Sequence, residues 1–432
     1  MIRRDFFKYT FLTTATLTSL NANTKKDDNS TVKTDIAILG GGFAGLSCAK
    51  ELKRLNPNLD VTIIEKKESF TSCPFSNLWL GETQGISYEN LNYPYNDAII
   101  KYNYNFLNET IIDVKKDKKI VITDKNSIKY KYLVLALGID YDYSYLFKDK
   151  KKIEKAKLFA PAGLKPGSEH LKIKESIKNF KTGNFIITVP PFSYKCPPAP
   201  YERACMIANY FKKNNINGKV IVLDPREKPL AKPKKILKAF SNFYKEYITY
   251  IPNSKILDVE FEKKNLSYEF FDEQELENKK LKIQYSQLCL MPKNKANSLI
   301  EKIGLELTPD GWAKLKEPTF RSTVDENIYV IGDAQGTYPF PKSAQMANSC
   351  AYIVANEIVN TIAKIPFDYR KNLPGNICYS MITDDLATSV THSYLYTNKM
   401  NLSVSVSNID KYTAQAAYGW YFGLIEDILA IK

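Results

Sequence analysis

The first clear apolar run, Asp35-Ile36-Ala37-Ile38-Leu39, predicts a short buried strand that passes directly into Gly40-Gly41-Gly42-Phe43-Ala44-Gly45. The period then changes. Leu46, Ala49, Leu52 and Leu55 recur at helical spacing, and Val61-Thr62-Ile63-Ile64-Glu65 reads as a second strand. Strand, turn, helix and strand in that order predict the start of a doubly wound parallel sheet. Tyr132-Leu133-Val134-Leu135-Ala136-Leu137-Gly138 predicts another buried strand ended by glycine. A second strand-and-helix region opens at Gly183-Asn184-Phe185-Ile186-Ile187-Thr188-Val189 and includes Lys219-Val220-Ile221-Val222-Leu223-Asp224. The strand pattern returns at Ile328-Tyr329-Val330-Ile331-Gly332-Asp333-Ala334. After Phe367 the stretches shorten and alternate, as in residues 402–406, and a last aromatic-rich helix is expected from about Ala414.

The pattern divides the 432 residues into a leader (1–31), a nucleotide-binding domain in two parts (32–157 and 286–366), an inserted second nucleotide fold (158–285) and a C-terminal cap (367–432). The fold class is α/β: two Rossmann-like dinucleotide-binding domains plus a C-terminal α+β cap. A hydrophobic content of 44% supports an ordinary buried core. The formal charge of +14 comes mostly from scattered lysines, which suits solvated faces or long-range attraction to an acidic partner. No compact basic stripe is interleaved with stacking aromatics, so nucleic acid is not an expected partner.

The N-terminus carries Arg3-Arg4-Asp5-Phe6-Phe7-Lys8, a twin-arginine pattern, before a mild, threonine-rich apolar stretch too short to span a bilayer. Export to the periplasm of a folded, cofactor-loaded chain is therefore expected, and no later segment reaches spanning length. Seven cysteines are present (Cys48, Cys73, Cys196, Cys205, Cys289, Cys350 and Cys378), none in a C-x-x-C pair, with two histidines, His170 and His392. A metal site is not expected, and without C-x-x-C-H the chain attaches no c-type haem of its own.

Gly40 permits the tight turn, Gly42 lets the backbone approach a pyrophosphate, and Gly45 lets the helix pack close to the sheet. The phosphates would sit on the free N–H groups at the helix start. Glu65 ends the second strand where an acid binds ribose hydroxyls, and Lys66 beside it joins the cofactor-binding set. Ala136 and Gly138 in one distant segment, and Gly332 and Asp333 in another, match two further motifs of two-dinucleotide-domain flavoproteins. That resemblance selects FAD and implies that Asp333 binds its ribityl or pyrophosphate portion. The second nucleotide fold lacks a glycine turn: after Val189 comes Pro190-Pro191-Phe192-Ser193-Tyr194-Lys195-Cys196-Pro197-Pro198-Ala199-Pro200. Prolines have no N–H to offer a phosphate, so a nicotinamide is not the expected electron source.

Four segments together resemble the flavoprotein subunit of flavocytochrome c sulfide dehydrogenase, a glutathione-reductase-like family: Ser72-Cys73-Pro74-Phe75-Ser76-Asn77, Cys196-Pro197-Pro198-Ala199-Pro200-Tyr201-Glu202-Arg203-Ala204, Pro341-Lys342-Ser343-Ala344 and Asn376-Ile377-Cys378-Tyr379-Ser380. The resemblance implies that Cys73 forms a thioether to FAD and that Cys196 and Cys378 form a redox disulfide beside it. It also implies that Glu202 moves a proton and that Lys342 places positive charge near the flavin. Hydrosulfide would open the disulfide, and its electrons would pass through FAD to a separate c-type cytochrome subunit, the expected heterodimer partner. Glu202 is equally suited to an ion pair with Arg203 or a lysine. Cys48, Cys205 and Cys289 read as core residues. Cys350 stands where the family has glutamine, and the histidines read as structural.

Two other functions share these features. A sulfide:quinone oxidoreductase would want an amphipathic C-terminal anchor. The last helix offers Tyr421, Leu424, Ile425 and Ile428 on one face, but Glu426 and Asp427 lie on its polar face. A thiol-redox accessory flavoprotein would lack sulfide-dependent cytochrome reduction.

Overall fold

The computed structural model describes residues 31–272 and 274–431. The twin-arginine motif and the leader up to residue 30 lie outside the described residues. The first strand of the main parallel sheet, β1 (Ile36–Leu39), is buried along its whole length and leads through the glycine turn into helix α1 (Phe43–Leu55). Burying Ile36, Ile38 and Leu39 contributes about 1.5–3 kcal/mol apiece, which fixes a strand only four residues long. Strand β2 (Val61–Glu65) pairs beside β1, followed outward by β3 (Asn105–Asn108); β4 (Tyr132–Leu135) lies on β1's other side, all in parallel. A smaller sheet that includes Thr31–Lys33, paired in parallel with Ser127–Lys129, sits beside this one.

The inserted fold repeats the design. Strand β5 (Thr182–Thr188) runs to helix α2 (Ala199–Lys213), β6 (Asn217–Leu223), helix α3 (Pro233–Phe243), β7 (Ile248–Ile251) and finally β8 (Gln287–Cys289). Its sheet order is β7-β6-β5-β8, again parallel. This unit reaches further in both directions than residues 158–285. Tyr143, Phe147 and Ala156 pack into its second core with Ile186 and Leu223, and β8 pairs with Phe185, Ile186 and Ile187. Strand neighbours are chosen by packing, which a linear pattern does not display.

The chain then re-enters the first sheet as β9 (Ile328–Val330), parallel to β4, and makes a short turn over Gly332–Ala334 before helix α4 (Ala344–Ala363). Helix α4 packs along α1. The cap is an antiparallel sheet, β10 (Asn376–Met381), β11 (Ala387–Tyr396) and β12 (Met400–Val406), closed by helix α5 (Lys411–Leu429). Helix α5 starts a little before Ala414 because Asp410 caps it, accepting a hydrogen bond from Thr413 N–H at 2.7 Å. Its apolar stripe turns inward: Tyr421, Leu424, Ile425 and Ile428 are buried, and Asp427 pairs with Lys50 on α1.

Candidate active site

A cavity of about 570 Å³ runs along the ends of β1, β2 and β4. Gly40, Gly42, Glu65, Lys66, Ala136, Gly138, Gly332 and Asp333 all line it. The glycines carry different constraints. A Cβ on Gly45 would stand 1.9 Å from the Gly40 carbonyl oxygen, so only glycine lets α1 sit this close to the turn. Gly40 has φ +110°, and its Cβ would meet the Ala136 carbonyl oxygen at 2.5 Å. At Gly42 nothing lies within 4 Å, and that open space faces the cavity.

The cavity fits a flavin dinucleotide on two counts. Helix α1 has no side-chain cap and no acid in its first turn, so its N-terminal N–H groups and dipole are free to meet phosphate. Asp333 Oδ1 is buried with no hydrogen-bond partner, while Oδ2 lies 3.3 Å from Lys195 Nζ. An orphaned carboxylate oxygen on the cavity wall is what a ribityl or ribose hydroxyl would satisfy. Glu65 is held in place by Gly41 N–H on Oε2 and Lys67 N–H on Oε1, both at 2.9 Å.

Lys342 is buried beside the cavity rather than on the protein surface, donating to the Gln335 carbonyl at 2.6 Å and lying 3.8 Å from the Trp312 ring centroid. Burial pulls its pKa down to about 8 against Asp333 and Asp310. A partly buried cation that lines the cavity is Lys195, contributed by the proline-rich loop. Sequence reasoning read that loop for its prolines and its cysteine and missed the lysine between them.

A small pocket of about 60 Å³ adjoins the large one, and Cys73 and Cys196 line both. Cys378, Glu202, Asn77 and Trp420 complete its walls. Cys196 adopts φ 53°, a left-handed conformation that costs a non-glycine residue about 1–2 kcal/mol. It is held there by Cys196 N–H donating to the Lys342 carbonyl at 2.7 Å and by Ala199 N–H donating back to its own carbonyl at 2.8 Å. Cys378 shares one face of β10 with Asn376 and Ser380. Asn376 Nδ2 lies 3.6 Å from Cys378 Sγ and 2.8 Å from His392 Nδ1, so this histidine reaches the sulfur through an amide. Cys196 and Cys378 both line this pocket, where the resemblance expects the redox couple.

Glu202 accepts hydrogen bonds from Asn77 Nδ2 and Met381 N–H, both at 2.8 Å. Burial raises its pKa against those two bonds. Neither arginine nor lysine pairs with it among the described residues. Arg203 instead donates to the Ala162 and Gly163 carbonyls at 2.6 Å and to Asn77 at 3.1 Å. Lys232, unremarked among the lysines of its segment, is buried beside β10. The other thiols belong to the core: Cys48, Cys205, Cys289 and Cys350 are all buried, and Cys350 Sγ accepts from Gly332 N–H at 3.3 Å. His170 is buried against the Gly163 carbonyl at 3.0 Å.

In the second nucleotide fold an acid and an arginine are paired internally. Asp224, just past β6, accepts from Tyr201 OH at 2.5 Å and Tyr250 OH at 3.0 Å. Arg226 donates to the Pro190 and Phe192 carbonyls of the loop.

Comparison with known proteins identifies the arrangement. The family model of the central part of the sulfide dehydrogenase (flavocytochrome c) flavoprotein chain matches residues 171–279, and that of the flavin-binding part of flavocytochrome c sulphide dehydrogenase matches 373–429. A sulfide dehydrogenase (flavocytochrome c) flavoprotein chain from Chlorobaculum thiosulfatiphilum is 50% identical over 42 residues, 10% of this chain and 88% of that one. The chain belongs to this flavoprotein family. It is an FAD-dependent sulfide dehydrogenase flavoprotein, and its first part, residues 34–175, also matches the pyridine nucleotide-disulphide oxidoreductase model. The sulfide-quinone reductase of Aquifex aeolicus is 24% identical over 81% of each chain. The solved sulfide:quinone oxidoreductase from Aquifex aeolicus shares the fold, with a TM-score of 0.74 and 18% identity over 92% of each chain. NDH2 from Plasmodium falciparum, solved with NADH, also shares it at TM-score 0.66 and 16% identity, over 92% of this chain and 97% of that one.

Proposed function

We propose that this flavoprotein oxidises sulfide at a Cys196–Cys378 couple and passes the electrons through FAD, held by a thioether to Cys73, to a c-type cytochrome partner. The observation that carries the reading is the small pocket itself. Cys73, Cys196, Glu202 and Cys378 come from three distant parts of the chain and meet on its walls, and two of the three thiols also border the dinucleotide cavity.

In this reading Glu202, its pKa raised by burial, takes a proton from hydrogen sulfide. The hydrosulfide opens the oxidised couple by thiol–disulfide exchange. The left-handed backbone at Cys196 holds its sulfur between the two cavities. Bound FAD supplies the acceptance of two electrons together and their release one at a time. Asp333 and Glu65 orient the cofactor, and the uncapped start of α1 binds its phosphates. The twin-arginine motif at Arg3 and Arg4 supports export to the periplasm, where a covalent link at Cys73 would prevent loss of a flavin that cannot be replaced.

A quinone-linked reading would need α5 as a membrane anchor. The helix's apolar face is instead spent inside the protein, against Phe75 and α1. The test is sulfide-dependent reduction of cytochrome c by the FAD-loaded protein, alone and as the Cys196→Ser and Cys378→Ser variants. Both variants are expected to keep FAD and lose turnover. Normal turnover in either, or reduction of a quinone but never of a cytochrome, would reject the reading.

A further inference from the structure

Lys232 combines three costs at one position. It is 3% exposed, it adopts φ 52° without being glycine, and it caps the N-terminal end of α3, where the helix dipole disfavours a cation. Its ammonium donates to Ser380 Oγ at 2.6 Å, to the Cys378 carbonyl at 3.3 Å and to the Thr388 carbonyl at 3.4 Å. All three acceptors are neutral, and no carboxylate lies within ion-pair distance of it among the described residues. A buried cation without an anion is expensive unless an anion forms beside it. Ser380 and Cys378 lie on the same face of β10, so the ammonium sits along the face that carries the Cys378 sulfur.

We propose that Lys232 is the counter-ion of the thiolate released at Cys378, so that hydrosulfide adds to Cys196. The inference rests on the disulfide chemistry proposed above and gives it a direction. The hydrosulfide sulfur forms a bond to Cys196 Sγ, the bond between the two cysteine sulfurs breaks, and its electron pair leaves on Cys378 Sγ. The proton of the hydrosulfide stays on the terminal sulfur of the new Cys196 persulfide. Exchange favours the sulfur that is better stabilised as a thiolate as the leaving group.

The surroundings of the two sulfurs are unequal. Burial raises the pKa of both thiols. The next influence on Cys378 is Lys232, which favours its thiolate. Cys196 meets Cys378, Cys73 and Glu202, all of which oppose a thiolate, ahead of Lys195, which favours one. Facing Lys232 from the packed elements are Cys378 on β10, Glu202 on α2, the Cys196 loop and His392 on β11, whose pKa is lowered by burial and by this cation. Lys232 therefore acts as a positioning residue for charge, and Cys378 as the group that bears it.

The experiment uses the FAD-loaded protein under anaerobic conditions. One equivalent of sulfide is added, the reaction is quenched with iodoacetamide, and the cysteine peptides are weighed. The expected result is a trapped persulfide on the Cys196 peptide and a simply alkylated Cys378. Lys232→Met should raise the pH midpoint for Cys378 alkylation in the reduced protein by about one to three units. It should also slow sulfide-driven flavin bleaching on the order of tenfold. Lys232→Arg, which keeps the charge, should restore most of both. A persulfide found on Cys378, or an alkylation midpoint that does not move in a folded Lys232→Met protein, overturns the inference. Should Lys232→Met fail to fold, the wild-type persulfide position still decides. Persulfide on neither cysteine removes the disulfide chemistry itself, and the inference with it.

Discussion

Lys195 Nζ lies 3.3 Å from Asp333 Oδ2, joining the proline-rich loop of the inserted fold to the turn that follows the strand returning to the first sheet. The two side chains are 16% and 13% exposed, so the pair is nearly closed off from solvent. Burial alone would lower the lysine's pKa, but Cys73 and Asp333 reverse the shift and keep it raised. The proline-rich loop thus supplies a cation to the cavity. Removing one partner of a buried pair leaves the other uncompensated. Lys195→Met is expected to cost about 3 kcal/mol in denaturant unfolding. The Lys195→Met/Asp333→Asn double variant should lose clearly less than the sum of the singles, whereas simple additivity would deny the coupling.

Cys73 stands where the dinucleotide cavity meets the cysteine pocket, with Sγ 3.5 Å from the Leu164 carbonyl. Acid denaturation of the mature protein should leave yellow flavin on the polypeptide, and Cys73→Ala should release it into the supernatant. Release from both would place the cofactor link elsewhere or nowhere.

Glu202 has a folded-state pKa above its ordinary value of 4.5, caused first by burial. The native state therefore holds this proton more tightly than the unfolded chain. Its contribution is fully favourable below about 4.5 and is lost as pH rises through the folded value. Measured by denaturant unfolding, Glu202→Gln should gain stability relative to the parent protein as pH is taken from 4 to 8. The same variant should slow sulfide-dependent flavin reduction on the order of 10²-fold. A flat stability difference across that range would show that burial does not raise the pKa of this carboxyl.

Tyr421 stacks on Phe75 with ring centroids 4.2 Å apart and donates its hydroxyl to the Asn90 carbonyl at 2.5 Å. Because Phe75 follows Cys73 by two residues, α5 braces the segment that approaches the flavin. Tyr421→Ala is expected to cost about 3–5 kcal/mol and to expose the apolar stripe of α5. Flotation with anionic vesicles checks the consequence: the parent protein should stay unbound, and vesicle binding by it would revive the membrane-docked alternative.

His170 is the second pH-sensitive group. Burial, reinforced by Arg203, lowers its pKa to about 3 from 6.5. The unfolded chain takes up the proton first, so the stability present above pH 6.5 falls as pH drops toward 3, by about 1.4 kcal/mol per unit. His170→Gln should flatten that part of the unfolding profile. An unchanged slope would assign acid sensitivity to other groups.

Much of this protein could be read from local pattern. Gly40, Gly42 and Gly45 act within one turn, and the strands ending at Glu65, Leu135 and Val330 announce themselves by short apolar runs. The cysteine segments were equally legible, because Cys196 with its flanking prolines and Cys378 beside Asn376 carry their surroundings in neighbouring positions. The tertiary structure alone decided which lysine serves which site. Lys195, Lys232 and Lys342 look alike in sequence, and a four-carbon stem lets each ammonium choose among partners far away in the chain. Only packing sends Lys342 onto Trp312, Lys195 to Asp333 and Lys232 beneath β10. The same holds for α5, whose amphipathic stripe fits lipid or core equally well until Phe75 and Lys50 are found to occupy its two faces. Sequence reveals the groups that act through backbone geometry and near neighbours; charge pairing across domains depends on distances that only the folded chain sets.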